Sequence, residues 1–332
     1  LQQAETLRHK RNVVSEQIAK LKKAGEDADD IVSEMRNVSA QIKALDSKLS
    51  ANEEIVRSIL MGLPNIPHAS VPVGKDETDN PVERKIGTPP AFDFEPRPHW
   101  EIGTRLNIFD FDRAAQITGA RFPLYMGAGA RLERALINWF LDVHLAQGYT
   151  EFNVPYLVNR TAMTGTGQLP KLAEDMYHCQ VDDLYLIPTA EVSVTNIHMK
   201  ETLSADDLPL NYCAFSPCFR REAGAAGKDT RGLLRVHQFH KVEMVKFVHP
   251  DTSWDELEKL TGHAEALLQK LGLPYRVLAL ATADLSFAAA KCCDLEVWSP
   301  GVAKWLEVSS LSLIHISEPT RPELVSRMPS SA

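Results

Sequence analysis

Apolar residues fall at Ile31, Met35, Val38, Ile42, Leu45, Leu49, Val56 and Ile59. The spacings alternate four and three, with Asn52 filling the one gap, which marks a heptad seam along a single helix. An earlier seam runs through Ala4, Leu7, Val14, Ile18 and Leu21, with Arg11 in its gap. Between the two lies Ala24-Gly25-Glu26-Asp27, where Gly25 suits a helix end and the acidic residues suit the start of the next. The pattern predicts an antiparallel helical hairpin over residues 1–61. With the turn near Gly25, Leu21 faces the region of Ile31, and Leu7 that of Leu45. Residues past about Asn52 then find no partner in the first helix. That register, and a first residue that is not Met, suggest that the chain is incomplete at its N-terminus. The second helix, about 34 residues at 1.5 Å each, spans roughly 50 Å. So thin a rod encloses no pocket. It reaches toward a large ligand, or it is a coiled-coil spacer.

Proline and glycine then break the pattern at Gly62, Pro64, Pro67, Pro72, Gly74, Pro81, Gly87, Pro89, Pro90, Pro96 and Pro98. Residues 62–98 read as an ordered connector without long elements, wrapping a second domain that starts near His99. There Leu132, Leu136, Trp139, Phe140 and Val143 share one face of a helix that ends at Gln147-Gly148. Strands are expected at Tyr149–Val154, Leu184–Ile187, Tyr212–Phe219 and Val236–Val248, the last two separated by the loop Arg221–Arg235. A helix is expected at Trp254–Leu271, and a hairpin from Asp294–Trp298 and Lys304–Val308 turning at Ser299-Pro300-Gly301. Sequence-adjacent strands joined by turns favour an antiparallel sheet with helices packed on it, an α+β domain.

Composition narrows the possibilities. Of 332 residues, 44 % are apolar and 24 % charged, with 36 basic and 44 acidic side chains giving a net charge of −8. That excess of acid argues against indiscriminate nucleic-acid binding, while leaving room for one shaped contact surface. No apolar run is long enough for a membrane helix, and no secretory signal is visible at the N-terminus. Five cysteines without a C-x-x-C pair point to a reducing compartment, hence a cytoplasmic protein, and away from structural zinc.

The chemistry concentrates after the loop. In Val236–Val248 the residues His237, Phe239, Lys241 and Glu243 alternate onto one face. A half-buried surface strand explains this plainly. The neighbouring strand, however, leads into Arg220 within Cys218-Phe219-Arg220-Arg221-Glu222, so a guanidinium can stand near Glu243 and Phe239. Together they offer a phosphate clamp, a stacking ring and an acceptor for an ammonium. Gly224-Ala225-Ala226-Gly227-Lys228 suggests a phosphate loop, but Glu222 and Asp229 stand where that motif needs Gly and Ser or Thr. A hairpin loop is the better reading. Lys241 and His237 receive no role beyond a solvated or structural one.

These residues closely resemble the bacterial-type seryl-tRNA synthetases, class II aminoacyl-tRNA synthetases. Phe219 through Gly224, and Thr230-Arg231-Gly232-Leu233-Leu234-Arg235-Val236-His237-Gln238-Phe239-His240-Lys241-Val242-Glu243, are similar to the family's second class motif. Ile187-Pro188-Thr189-Ala190-Glu191-Val192 is similar to its serine-binding segment. The helix near Leu132 through Pro155 resembles the dimer-forming first motif, and Glu307-Val308-Ser309-Ser310 the ATP and metal segment. The resemblance covers residues 1–310.

It implies a homodimer that activates L-serine with ATP to seryl-adenylate and passes it to tRNA(Ser), with tRNA(Sec) a further candidate acceptor. Arg220 would bind the α-phosphate and the serine carboxylate and is the catalytic candidate. Thr189, Ala190, Glu191 and Glu243 would bind serine. Arg221, Glu222 and Phe239 would bind ATP, Glu222 at the adenine amino group and Phe239 stacked on the ring. Glu307, Val308, Ser309 and Ser310 complete the ATP segment, with Glu307 and Ser310 as Mg²⁺ ligands. The 1–61 arm would grip tRNA by backbone shape. A plain ion pair for Arg220, a helix cap for Thr189, a core ring for Phe239 and a solvated face for Glu307 remain the competing readings. So do two other classes: a synthetase-like binding protein and a coiled-coil scaffold.

The catalytic domain is expected over 99–310. At Leu311 the chain leaves the family pattern, and no third class motif follows. Residues 311–332 read as a foreign, disordered tail, and the chain as one impaired in activity.

Overall fold

In the computed structural model, residues 2–25, 27–224 and 230–314 are described. The chain divides into two compact units, at residues 1–63 and from 64 onward.

The first unit is the predicted hairpin. Helix α1 (Gln2–Ala24) and helix α2 (Asp29–Met61) pack Leu7, Val14 and Ile18 against Met35, Val38 and Ile42. Gly25 ends α1 at φ +75°, where a Cβ would strain the backbone. Arg8 pairs with Asp46 at 2.8 Å, which agrees with the register that sets Leu7 opposite Leu45. Ile55, Val56 and Ile59 are exposed, as that register requires.

The second unit begins in the connector, and here one expectation needs amending. Between Pro81 and Gly87 the connector forms strand β1 (Val82–Ile86). Five residues are enough for a strand when a neighbouring one offers its ladder. Helices α3 (His99–Arg105), α4 (Phe111–Thr118) and α5 (Ala128–Ala146) follow. The buried side of α5 carries Leu141 and His144, with Ile137 packed beside them, rather than the predicted face. On that other face Leu132 is 59 % exposed. Periodicity showed an apolar stripe there but not what it meets.

Next come β2 (Thr150–Glu151), β3 (Leu157–Asn159), α6 (Arg160–Gly165), β4 (His178–Cys179), β5 (Leu184–Leu186) and α7 (Glu191–Thr195). Only two residues of the expected strand Tyr149–Val154 pair, and they run parallel to the next long strand. That strand, β6 (Leu210–Phe219), forms an antiparallel ribbon with β7 (Gln238–Phe247). Helix α8 (Ser253–Lys270) and strands β8 (Tyr275–Ala279), β9 (Lys291–Ser299) and β10 (Lys304–Leu313) complete the described unit. The strands form three sheets, ordered β1-β8-β9-β10, β2-β6-β7 and β3-β5-β4. All their pairings are antiparallel except that of β2 with β6. Leu257, Ala264 and Leu268 of α8 cover Tyr275, Val277 and Leu295 of the largest sheet.

The chain stays regular past Ser310, where the tail is expected to begin. β10 continues to Leu313, pairing Leu311 with Cys293 and Leu313 with Lys291. Leu311, 4 % exposed, joins the core under α8. Alternation of Leu311 and Leu313 carries the strand on whatever motif it belongs to. Residues 315–332 lie outside the described residues, as do 225–229 of the rejected phosphate loop.

Candidate functional site

The β6–β7 ribbon builds the floor of the site. Its register sets Ala214 against Glu243, Ser216 against Lys241 and Cys218 against Phe239. All three β6 residues are small and fully buried. Small side chains on one strand make room for large ones on its neighbour, so Phe239, Lys241 and Glu243 can lean across the ribbon. Farther along the same face of β7, Val245 and Phe247 pack beside Val194 of α7 and Ala214. One strand face thus anchors the fold at its apolar end and presents chemistry at the other.

The turn into α7 delivers Thr189, Ala190 and Glu191. Ala190 is fully buried and Thr189 nearly so. The Thr189 hydroxyl donates to Glu243 Oε2 at 2.5 Å, and the Lys241 ammonium donates to Thr189 Oγ1 at 2.8 Å. Lys241 Nζ also lies 2.7 Å from Glu243 Oε2. Thr189 is therefore more than a helix cap, although Glu191 N–H does point at its hydroxyl from 3.3 Å. Burial, and then the charge of Glu243, push the Glu191 carboxyl up to about 7. Burial also penalises the Glu243 carboxylate, but Lys241, Thr189 and the Glu191 backbone N–H outweigh it and hold its pKa down.

Arg220 enters from the end of β6. Its backbone exchanges bonds with His237: Arg220 N–H donates to the His237 carbonyl, and His237 Nδ1 meets the Arg220 carbonyl, both at 3.0 Å. His237 so acquires a structural place. The Arg220 guanidinium stands 5.1 Å over the Phe239 ring. Arg221 N–H donates to the Asp175 carbonyl, and Glu222 turns the chain at φ +51°. Glu222 Oε2 accepts from Arg235 at 3.2 Å, with Arg121 at 3.9 Å. A non-glycine residue held left-handed by two arginines is stored strain of the kind that fixes a side chain's aim.

Strand β10 brings the last segment. Glu307 and Ser310 are three residues apart and would face opposite ways on a regular strand. A bulge between Glu307 and Ser309 resets the phase. Glu307 then pairs with Glu296 and Ser310 with Asp294, two positions on one face of β9. Val308 is exposed at the bulge. Burial and Glu307 together push the Asp294 carboxyl up to about 7, against a hydrogen bond from Ser310. Glu307 keeps access to solvent, yet protein crowds it from below, and this raises its carboxyl pKa despite the nearby charges of Arg220 and Lys241. Cys292 Sγ lies 3.2 Å from Ser310 Oγ.

Sequence reasoning passed over Lys241 and Asp294. The first had a legible signal, its place between Phe239 and Glu243. The second became legible only through the ladder.

Comparison with known proteins gives the family. Residues 1–67 match the model of the seryl-tRNA synthetase N-terminal domain, and residues 177–325 that of the class II tRNA synthetase core domain for Gly, His, Pro, Ser and Thr. A serine–tRNA ligase of Desulfosudis oleivorans is 59 % identical over 94 % of this chain and 74 % of its own length. The chain belongs to the seryl-tRNA synthetase family. Among solved structures, a seryl-tRNA synthetase from Pyrococcus horikoshii complexed with ATP superposes with a TM-score of 0.88 at 38 % identity, covering 94 % of this chain and 74 % of that one. A cytoplasmic serine–tRNA ligase from Naegleria fowleri in complex with AMP reaches 0.83 at 26 % identity, covering 96 % and 76 %. The family match thus extends over both units of the chain, and the coiled-coil scaffold reading falls away.

Proposed function

We propose that this chain activates L-serine with ATP and charges tRNA(Ser), with the following division of labour. The observation that carries it is the convergence of Thr189, Glu191, Arg220, Lys241 and Glu243 over the small residues of β6. Two carboxylates and a hydroxyl suit an ammonium, and the guanidinium suits a carboxylate and a phosphate together.

Arg220 holds the serine carboxylate against the α-phosphate of ATP. A carboxylate oxygen attacks phosphorus in line, the new C–O–P bond forms, and the bond to pyrophosphate breaks. Catalysis is positioning plus neutralisation of charge in the transition state, with no covalent enzyme intermediate. Phe239 stacks on adenine with the ring face that Arg220 leaves open. Glu222 accepts from the adenine amino group, and Arg221, Val308 and Ser309 line the nucleotide by their place beside these residues.

The donor set at the bulge fits Mg²⁺. Glu307, Ser310 and Asp294 offer hard oxygens in a place where the charge of Glu307 already raises the pKa of Asp294. Among the described residues no group of three or more His, Cys, Asp or Glu is arranged to hold a metal. Magnesium commonly takes one or two protein carboxylates plus substrate phosphates. Glu307 and Ser310 would hold the ion, which when bound supplies charge neutralisation at the phosphates.

The helical arm is assigned to tRNA and the open face of α5 around Leu132 to a second copy of the chain. Among the described residues no helix is long and apolar enough to cross a membrane. All five cysteines are free thiols, which supports a reducing cytoplasm.

The test is calorimetric. A sulfamoyl analogue of seryl-adenylate should bind at least tenfold more tightly than its threonyl counterpart, since one added methyl in a fitted pocket costs about that much, and more tightly than its prolyl counterpart, which lacks the hydroxyl and a primary ammonium. Equal affinity for all three would overturn the serine assignment.

A further inference from the structure

The contacts assigned to serine leave the pocket's own charge balance unexplained. Glu191 and Glu243 are both crowded by protein, and the charge of Glu243 makes ionising Glu191 harder. Left to themselves, two such carboxylates share one proton, and a protonated carboxyl receives an ammonium poorly. Lys241 stands between Thr189 Oγ1, at 2.8 Å, and Glu243 Oε2, at 2.7 Å. Among the described residues Lys241 is the cation that bonds both atoms. Arg220 lies over the Phe239 ring, at the phosphate end of the site.

We propose that Lys241 is the built-in counter-ion of this pocket, a positioning residue whose charge keeps Glu243 an acceptor for the amino group of a small zwitterionic amino acid. The inference deepens the serine reading above and rests on it.

The geometry gives Lys241 two tasks at once. Its donation to Thr189 fixes the hydroxyl so that the hydroxyl's own proton points at Glu243. Its charge offsets the cost of an ionised Glu243. A lysine merely solvated on a surface strand would reach outward. This one, about a third exposed, turns its ammonium back onto two residues that sequence assigns to the substrate.

The surrounding groups do not supply a substitute. On β6, burial raises the pKa of the Cys218 thiol, which leaves it neutral at pH 7. From α7 comes Glu191, from β10 Glu307, both acidic, and from the end of β6 Arg220. Three carboxylates therefore face two cations. Burial works against the Lys241 ammonium, but Glu243 outweighs it and raises the ammonium's pKa. Removing Lys241 leaves Arg220, at the phosphate end, as the remaining cation beside Glu191 and Glu243, which makes an ionised Glu243 costlier.

The experiment is a calorimetric titration of the chain with L-serine in the presence of a non-hydrolysable ATP analogue, from pH 5.5 to 8.5. Wild type, Lys241→Gln and Lys241→Arg are compared. The glutamine can still donate to Thr189 but carries no charge. Its pH midpoint for serine affinity should rise by at least one unit, leaving affinity about tenfold below wild type at pH 6 and converging toward it at pH 8.5. Lys241→Arg should keep the wild-type midpoint whatever its overall affinity. A Lys241→Gln profile parallel to wild type at every pH would overturn the proposal and reduce Lys241 to a hydrogen-bond donor. Affinity for the ATP analogue reports the integrity of the fold. Should the glutamine variant lose it, Lys241→Met must show the same shift. A wild-type chain that binds the analogue but no serine at any pH would instead overturn the serine reading itself.

Discussion

Opposite charges lie almost equally close in the arm and in the site: 2.8 Å for Arg8 and Asp46, 2.7 Å for Lys241 and Glu243. Their surroundings differ. Arg8 and Asp46 keep 45 % and 41 % of their side-chain surface in water, and each has solvent to turn to. Glu243 keeps 16 % and is tied to Thr189 as well. A pair in water gains little from its own closeness, because water screens the attraction and each ion is well solvated apart. A pair set among protein atoms has exchanged that solvation for its partner, so losing one member strands the other. Bond length therefore says little about purpose. In the arm the apolar seam holds the helices and the charges decorate them. In the site the charges are the cargo, held by the buried small residues of β6.

The largest effect expected from breaking this contrast is at Glu243. Glu243→Ala leaves Lys241 without its ion-pair partner and removes the acceptor assigned to serine's amino group. Truncating one member of a buried hydrogen-bonded pair costs about 2–5 kcal/mol, so serine affinity should fall about 10²-fold or more. Affinity for an ATP analogue should stay within about twofold, because Phe239 and Glu222 lie outside the broken network. Calorimetry with each ligand alone separates the two. Unchanged serine affinity would mean that the pair is as dispensable as the one in the arm.

A second carboxylate cluster sharpens the comparison from the other side. Glu296 is paired with Arg276, while burial and the charge of Glu307 raise the pKa of Asp294. If the serine pocket carries its counter-ion and the bulge takes one from solution, the two should answer differently to magnesium. Glu307→Gln should raise the Mg²⁺ concentration needed for tight binding of the ATP analogue by about tenfold, the usual scale for losing a contact near a metal. A magnesium curve identical to wild type would remove Glu307 from the ligand set.

The same contrast explains what the sequence could disclose. A heptad seam is a local pattern with one solution, so the arm's helices, its turn at Gly25 and even the unpaired stretch beyond Asn52 followed from spacing alone. Alternation in β7 likewise put Phe239, Lys241 and Glu243 on one face. What the alternation could not show was which neighbour each side chain meets. Lys241 looked solvated because its partner Thr189 lies 52 residues away in the chain. The Glu307–Ser310 pair was chosen by resemblance, against the alternation that would have split them, and only the bulge at Val308 makes it geometrically sound. The apolar stripe of α5 was legible as a stripe, whereas its direction depends on tertiary packing. Leu311 was assigned to a foreign tail because motif matching ended there, although its alternation with Leu313 already carried the strand forward.

The smallest effect expected is in the arm itself, and it is the fairest check on the opening contrast. Arg8→Ala removes an ion pair as short as the one in the site. Exposed pairs contribute about 0.2–1 kcal/mol, so hydrogen exchange on the whole chain should show α1 amides opening only slightly more readily. The difference should shrink further in high salt, since the Debye length falls to about 3 Å at 1 M and screens what remains. Serine affinity should be unchanged, because the groups named in the pocket's network all belong to the second unit. A loss of protection of 2 kcal/mol or more, persisting in salt, would show that Arg8 and Asp46 help specify the hairpin's register. Length and angle would then matter more than burial, and the inference drawn for Lys241 from its surroundings would lose its physical basis.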